Sequence, residues 1–158
     1  MMITLSIRQA TVEDAPIITH HRRAMFEDMG RTDYERLDDM ARRFEPWVRE
    51  SLAQGDYLGW FVVNEAGEVV AGAGLWLMAW LPHVLDDADR RGNVVNVYTR
   101  PDYRRQGLAR RLMGVVLDWC REHHVPTVIL HASDQGRALY ESLGFKASNE
   151  MRIHVGFR

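Results

Sequence analysis

The sequence has a single cysteine, Cys120, so it cannot close an internal disulfide, and that shortage points to a reducing compartment. No apolar run approaches the ~20 residues needed to cross a bilayer, and Met1-Met2-Ile3-Thr4-Leu5-Ser6-Ile7-Arg8 lacks the basic stretch and apolar block of a secretory leader. A cytoplasmic protein with no membrane partner is expected. Net charge is also scarce: 20 basic against 22 acidic residues leave −2, which gives no basic excess for nucleic acid and no acidic tract for disorder. Lysine is almost missing, Lys146 being the only one, so arginine carries the positive charge, and its planar fork suits phosphate well. Repeats, low-complexity tracts and linkers are absent. With 158 residues, 46 % of them hydrophobic, residues 1–158 are expected to form a single domain.

Two weaker motifs are also incomplete. The pairs His20-His21 and His123-His124, with His131, lack a cysteine or carboxylate to finish a metal set, and adjacent histidines on a helix point apart, so no metal is expected. Gly72-Ala73-Gly74 lacks the third glycine and the following helix of a dinucleotide loop; small residues in a packed hairpin are the expectation.

What is present falls into clear periods. Ile3, Leu5 and Ile7 alternate with polar residues, as in a strand with one buried face. Thr11 and Asp14, with Pro16 in the first turn, predict a helix to Met29 that stops at Gly30. Thr32 and Glu35 are spaced as a capping box for a second helix running to Gly55, with Pro46 expected to kink or split it. Tyr57 to Asn64 and Val69 to Met78 read as a hairpin, Trp80 to Gly92 as a polar loop, and Val94 to Thr99 as the next strand. A helix from Gly107 to His124 follows. Thr127 to Leu130 is wholly apolar, as in a strand covered on both faces. Ser133 or Asp134 can cap a helix through Leu143, and Met151 to Phe157 alternates as a last strand. The order β-α-α-β-β-β-α-β-α-β predicts an α/β (α+β) fold, a mixed sheet covered by helices.

The stretch from Val94 to Ala109 joins a strand to a helix through Arg104-Arg105-Gln106-Gly107. A helix start leaves backbone N–H groups unpaired with the positive end of the helix dipole behind them, so this one is expected to bind an anion.

At Arg104-Arg105-Gln106-Gly107-Leu108-Ala109 the chain resembles the GCN5-related N-acetyltransferase family, whose acetyl-CoA loop reads Arg/Gln-x-x-Gly-x-Gly/Ala. The approach Val97-Tyr98-Thr99-Arg100-Pro101 and the later Leu139-Tyr140-Glu141-Ser142-Leu143-Gly144-Phe145 match the same family, and the element order agrees over nearly the whole chain. The resemblance implies a mostly antiparallel sheet split by a V-shaped gap, and acetyl-CoA as co-substrate. It places pyrophosphate on the amides from Arg105 through Gln106, Gly107, Leu108 and Ala109 to Arg110, with Arg104 and Arg105 adding charge. The pantetheine arm would pair with the backbone at Val97, Tyr98 and Thr99. Tyr140 would be the general acid for the departing thiolate, and a backbone N–H near Val97 the oxyanion donor.

Two positions depart from the pattern. Ser133 stands where many relatives carry a cofactor-contacting asparagine, and no carboxylate occurs in Val94-Val95-Asn96-Val97, so Asn96 could only position a water. Glu27, Asp28 and His83 are the alternative bases, unless the amine arrives neutral. The acidic group Glu27, Asp28, Asp33, Asp38 and Asp39 would either draw a cationic amine or form a solvated helix face. The expected activity is acetyl transfer to a primary amine of a small molecule or peptide, by direct attack in a ternary complex. The alternatives are a non-catalytic acyl-CoA-binding regulatory domain, O-acetyl transfer and a longer acyl donor. The resemblance also makes a homodimer plausible.

Overall fold

A computed structural model describes residues 3–156. Its elements are β1 (Ser6–Gln9), α1 (Ala15–Asp28), α2 (Tyr34–Gln54), β2 (Tyr57–Val63), β3 (Val69–Ala79), β4 (Arg90–Thr99), α3 (Leu108–Glu122), β5 (Val128–Leu130) and α4 (Arg137–Ser142). Short 3-10 turns at Val12–Asp14 and Pro101–Tyr103 precede α1 and α3. The strands lie in the order β1-β2-β3-β4-β5, antiparallel except for the parallel β4–β5 pair.

Alternation along the strands sorts the apolar residues onto two faces. On one face Val62, Ala73, Leu75 and Val94 pack against Leu112, Met113, Val116 and Cys120 of α3, with Leu143 and Phe145 after α4 at the edge. On the other, Tyr57 and Phe61 pack against Ala15 and Ile18 of α1 and Val48 of α2. The small residues in β3 are set by their neighbours. A Cβ at Gly72 would stand 2.8 Å from His21 Nδ1, and one at Gly74 would collide with the Tyr57 hydroxyl.

Several predicted boundaries move for physical reasons. β1 starts at Ser6 because its partner β2 ends at Val63, opposite Ser6. β4 begins at Arg90, inside the expected loop, because β3 continues to Ala79 and pairs with it there. Thr32 does not cap α2; the Asp33 carboxylate accepts the Arg36 N–H at 3.2 Å. Pro46 forgoes one helix hydrogen bond, yet α2 runs unbroken from Tyr34 to Gln54, with Leu37, Val48 and Ser51 buried on either side of it. α4 starts at Arg137, because the Ser133 hydroxyl accepts the Gly136 N–H at 3.1 Å in a turn ahead of the helix. β5 is half-buried and forms the sheet edge rather than lying covered on both faces. The last expected strand, Met151 to Phe157, is corrected: residues 146–156 carry no regular structure and 151–156 are exposed, while Phe157 lies outside the described residues.

The polarity at the start of α1 follows the sequence closely. The Asp14 carboxylate is buried, accepts the Thr11 N–H at 2.8 Å and takes two hydrogen bonds from Arg8, each 2.8 Å. That pairing, led by the Arg8 hydrogen bonds, holds its pKa below the ordinary aspartate value.

Candidate active site

β4 makes the site by losing its neighbour part way along. β5 pairs only with Gly92, Asn93 and Val94, so among the described residues the β4 edge from Val95 to Thr99 has no strand beside it, and the sheet splits there. Within that stretch the β3–β4 register shifts: Gly74 opposes Val95 while Gly72 opposes Tyr98, leaving one extra residue on β4. Asn96 takes up the bulge, with φ 56.

Asn96 is buried, and both ends of its amide are engaged. Oδ1 accepts from Arg22 Nη1 at 2.9 Å, and Nδ2 donates to Tyr57 Oη at 2.9 Å. These two bonds give Asn96 a structural role: it locks the bulge to α1 and β2. Burial pushes the Tyr57 phenol up to about 12 and lowers the Arg22 pKa from its ordinary value. Arg22 has no carboxylate partner among the described residues; its guanidinium lies over Phe26 and Phe44, 5.0 and 5.1 Å from their centroids.

Beyond Thr99 the chain turns into α3. Arg105 and Gly107 both take left-handed backbone conformations, φ 63 and 74, with Gln106 between them. Such alternation aims successive N–H groups into one concavity. The first bond of the helix ladder runs from the Arg111 N–H to the Gly107 carbonyl. The N–H groups from Arg105 to Arg110 have no protein acceptor among the described residues. Thr99, Arg104, Arg105, Gly107, Leu108, Ala109 and Arg110, with Leu139 of α4, line a depression of about 180 Å³ here. Unpaired N–H groups backed by the dipole of α3 favour negative charge here.

The arginines divide their work. Arg104 donates through Nε to the Thr99 carbonyl at 2.9 Å and through Nη2 to Asp28 at 2.6 Å, so it clips the end of α1 to the end of β4. Arg110 donates to Ser142 Oγ at 2.7 Å and ties α3 to α4. Arg105 is exposed.

Of the remaining candidates, Val97 and Tyr140 are half-buried against the same core. Burial raises the Tyr140 pKa, so its hydroxyl stays protonated at neutral pH, and its ring meets Phe145 edge-on at 6.0 Å. Tyr98 faces the other way, toward His21. Ser133 is exposed, in the turn before α4.

The alternative bases separate as well. His83 is exposed in the loop before Arg90, where its Nδ1 accepts the Leu85 N–H at 3.1 Å. Glu27 pairs with Arg23 on the α1 surface. Asp28 alone reaches the site, through Arg104. The rest of the acidic group is laced with arginine: Asp33 with Arg36, Asp38 with Arg23, and Asp39 with Arg42 and Arg43. That is a solvated helix face.

Sequence reasoning missed Arg22 and Tyr57, and weighed His21 only as part of an incomplete metal set. His21 is buried among Phe61, Tyr98 and Gly72, and burial pushes it down to about 4, so it is neutral at pH 7. Its only sequence signal was helical spacing from buried Ile18. Among the described residues no helix is long and apolar enough to cross a membrane.

Comparison with known proteins agrees with this geometry. The chain is 32 % identical over 121 residues to the [ribosomal protein bS18]-alanine N-acetyltransferase of Escherichia coli K12, covering 73 % of this chain and 74 % of that one. A GCN5-related N-acetyltransferase structure from Ralstonia eutropha JMP134 superposes with a TM-score of 0.89 at 31 % identity, over 96 % of this chain and 99 % of that one. A predicted acetyltransferase from Clostridium acetobutylicum, solved with acetyl-CoA, shares the fold, with a TM-score of 0.87 at 22 % identity over 96 % of each chain. Residues 18–145 match the model of the acetyltransferase (GNAT) family, and the chain belongs to that family as an acyl-CoA-dependent N-acetyltransferase.

Proposed function

We propose that residues 1–158 act as one cytoplasmic domain that moves the acetyl group of acetyl-CoA to a primary amine by direct attack in a ternary complex. The observation that carries this reading is the run of N–H groups from Arg105 to Arg110 without protein acceptors, at the N-terminus of α3 and beside the open edge of β4. These N–H groups hold the pyrophosphate, Gly107 lets it approach the backbone, and Arg105 adds charge. The backbone of Val97, Tyr98 and Thr99 provides the edge on which the pantetheine arm pairs, and the Ser133 hydroxyl keeps its proton to donate. Acetyl-CoA supplies the activated thioester when bound. A Val97 N–H stabilises the oxyanion, Tyr140 Oη–H protonates the departing thiolate, and the proton lost by the acylated nitrogen returns to the Tyr140 phenolate, directly or through water. Cys120, buried on α3, takes no covalent part.

With no carboxylate on the open stretch of β4 and Asp28 held by Arg104, the site suits an amine that arrives already neutral. That favours acceptors of low pKa. A peptide α-amine titrates near 8, against about 10.4 for lysine, so its neutral fraction at pH 7 is more than a hundredfold larger. A peptide N-terminus is therefore the preferred acceptor, and the E. coli relative, a [ribosomal protein bS18]-alanine N-acetyltransferase, points the same way. Assembly as a homodimer belongs to the same reading.

The test is thiol release from acetyl-CoA with a panel containing an alanine-terminated peptide, lysine and aminoglycosides. The expected result is fastest turnover with the α-amine and a rate that rises with pH through that amine's own pKa. Tyr140→Phe should lower kcat at least tenfold with little change in acetyl-CoA affinity. Unchanged turnover removes Tyr140 from the chemistry, and no release with any amine overturns the proposed transfer.

A further inference from the structure

Four side-chain polar atoms are buried without a hydrogen-bond partner among the described residues: Arg22 Nε, Trp80 Nε1, Arg91 Nε and Asn93 Oδ1. Buried polar atoms are partnered in nearly every folded protein, so each orphan needs a reason. All four belong to the same face of the sheet. Asn93 and Arg91 alternate with Gly92 and Val94, which puts them on the side of Val95, packed toward α1 and α2. Trp76, directly opposite Asn93, joins that same cluster, and Trp80 carries the Arg91 guanidinium 4.1 Å from its ring. Arg22 reaches this face from α1, where it bonds Asn96.

The strip therefore begins at the open edge of β4 and runs back along the strand, away from the turn into α3. The unpaired N–H groups of Arg105 to Arg110 lie past the other end of β4, so the strip is separate from them. Arg22 is its member nearest the open edge, because the Asn96 that it bonds immediately precedes Val97. The side chain is half-buried, and neither it nor Arg91 pairs with a carboxylate among the described residues. Phe26 and Phe44 present ring faces to the Arg22 guanidinium, which offset part of its charge but accept no planar pair of N–H bonds. An arginine drawn out of water without a counter-ion lacks what a carboxylate supplies. Asn93, only 8 % exposed, offers the opposite polarity: its Oδ1 is the one orphan acceptor of the strip, suited to the N–H of a neutral amine.

We propose that this strip is the acceptor subsite, and that Arg22 binds a carboxylate carried by the acceptor amine while Asn93 Oδ1 accepts the amine N–H. In a peptide the carboxylate is an acidic side chain close to the N-terminus; in a free amino acid it is the α-carboxylate. The proposal rests on the preceding reading of transfer to a neutral amine, and it adds the class of acceptor.

Two matched pairs of acceptors test it, compared at equal concentrations of neutral amine: Ala-Asp-amide against Ala-Asn-amide, and free alanine against alaninamide. In at least one pair the acid-bearing member should show a KM at least tenfold lower, and the pair that does so tells a side-chain carboxylate from an α-carboxylate. In Arg22→Gln, which keeps an N–H for Asn96, that advantage should vanish, and Arg22→Lys should restore part of it. Asn93→Val should raise KM for both members of a pair alike. No advantage in either pair with the unaltered chain overturns the proposal without recourse to a variant. So does an advantage that survives Arg22→Gln, or a KM that Asn93→Val leaves unchanged. Calorimetry of the same four compounds against the CoA-bound protein keeps the subsite apart from the chemistry: a carboxylate preference in binding without thiol release would sink the transfer and leave the subsite standing.

Discussion

His21 is held as a neutral imidazole by what surrounds it. Phe61 and Tyr98 flank the ring, the neighbouring His20 adds no counter-charge, and burial is the main reason its pKa falls to about 4. The folded state thus binds its proton more weakly than the unfolded chain, whose histidine titrates near 6.5. Between those values the unfolded chain takes up a proton that the folded one refuses, so stability falls as pH drops from about 6.5 to about 4. The full effect is on the order of 3 kcal/mol. Urea titrations should lose this slope in His21→Phe, and an unchanged slope would show that other groups carry it. Asp14 acts in the same direction lower down: its depressed pKa contributes stability that is lost only as pH falls through that value. At Gly74 the limit is space. Gly74→Ala drives a methyl into the Tyr57 hydroxyl that steadies Asn96, and should cost about 2 kcal/mol or more, read as a lower Tm.

Among the elements, α3 was the most legible, because everything it needs is local. Arg105, Gln106 and Gly107 precede an amphipathic run, and the orphan N–H groups follow from helix geometry alone. Gly107→Val tests it. No atom lies within 4 Å of the position a Cβ would take, so the cost to folding is only that of a left-handed valine, about 1–2 kcal/mol, whereas acetyl-CoA affinity should fall at least tenfold. Near-normal affinity measured by calorimetry would separate the cofactor from this loop. β4 was much less legible. The Arg22–Asn96 and Asn96–Tyr57 contacts span 74 and 39 residues, and nothing in Val94-Val95-Asn96-Val97 announces a bulge, since asparagine is only one of the residues that tolerate positive φ. The Arg104–Asp28 clip, across 76 residues, was hidden for the same reason. Pro46 failed as a signal in the opposite sense: packing on both sides of it outweighs one missing hydrogen bond.

At the scale of the whole molecule, the two apolar faces of the sheet were readable from alternation, whereas the fate of residues 146–156 was not. Alternation says that a segment wants a sheet but not which sheet, and here its own edge goes unused. Cys120 offers a probe of the whole. It is buried between α3 and the sheet, at the wall of a surface depression, and burial pushes its thiol up to about 11, so a thiol reagent should reach it only when α3 shifts from the sheet. A ligand at 100 times its Kd stabilises the closed state by about 2.7 kcal/mol, so acetyl-CoA should slow the labelling about a hundredfold. A labelling rate unaffected by acetyl-CoA would show that α3 opens locally, apart from its N-terminus.

The extra residue at Asn96 also sets the phase of everything after it. Val94 looks toward α3 and Val95 toward α1; an unbroken strand would then turn Val97 toward α1 and Tyr98 toward α3. Because the count slips by one, the reverse holds: Val97 joins the α3 side and Tyr98 meets His21. Deleting Asn96 would therefore do more than remove a hydrogen bond. It would exchange the inside and outside of the open edge and deliver a tyrosine to the face where a valine now packs.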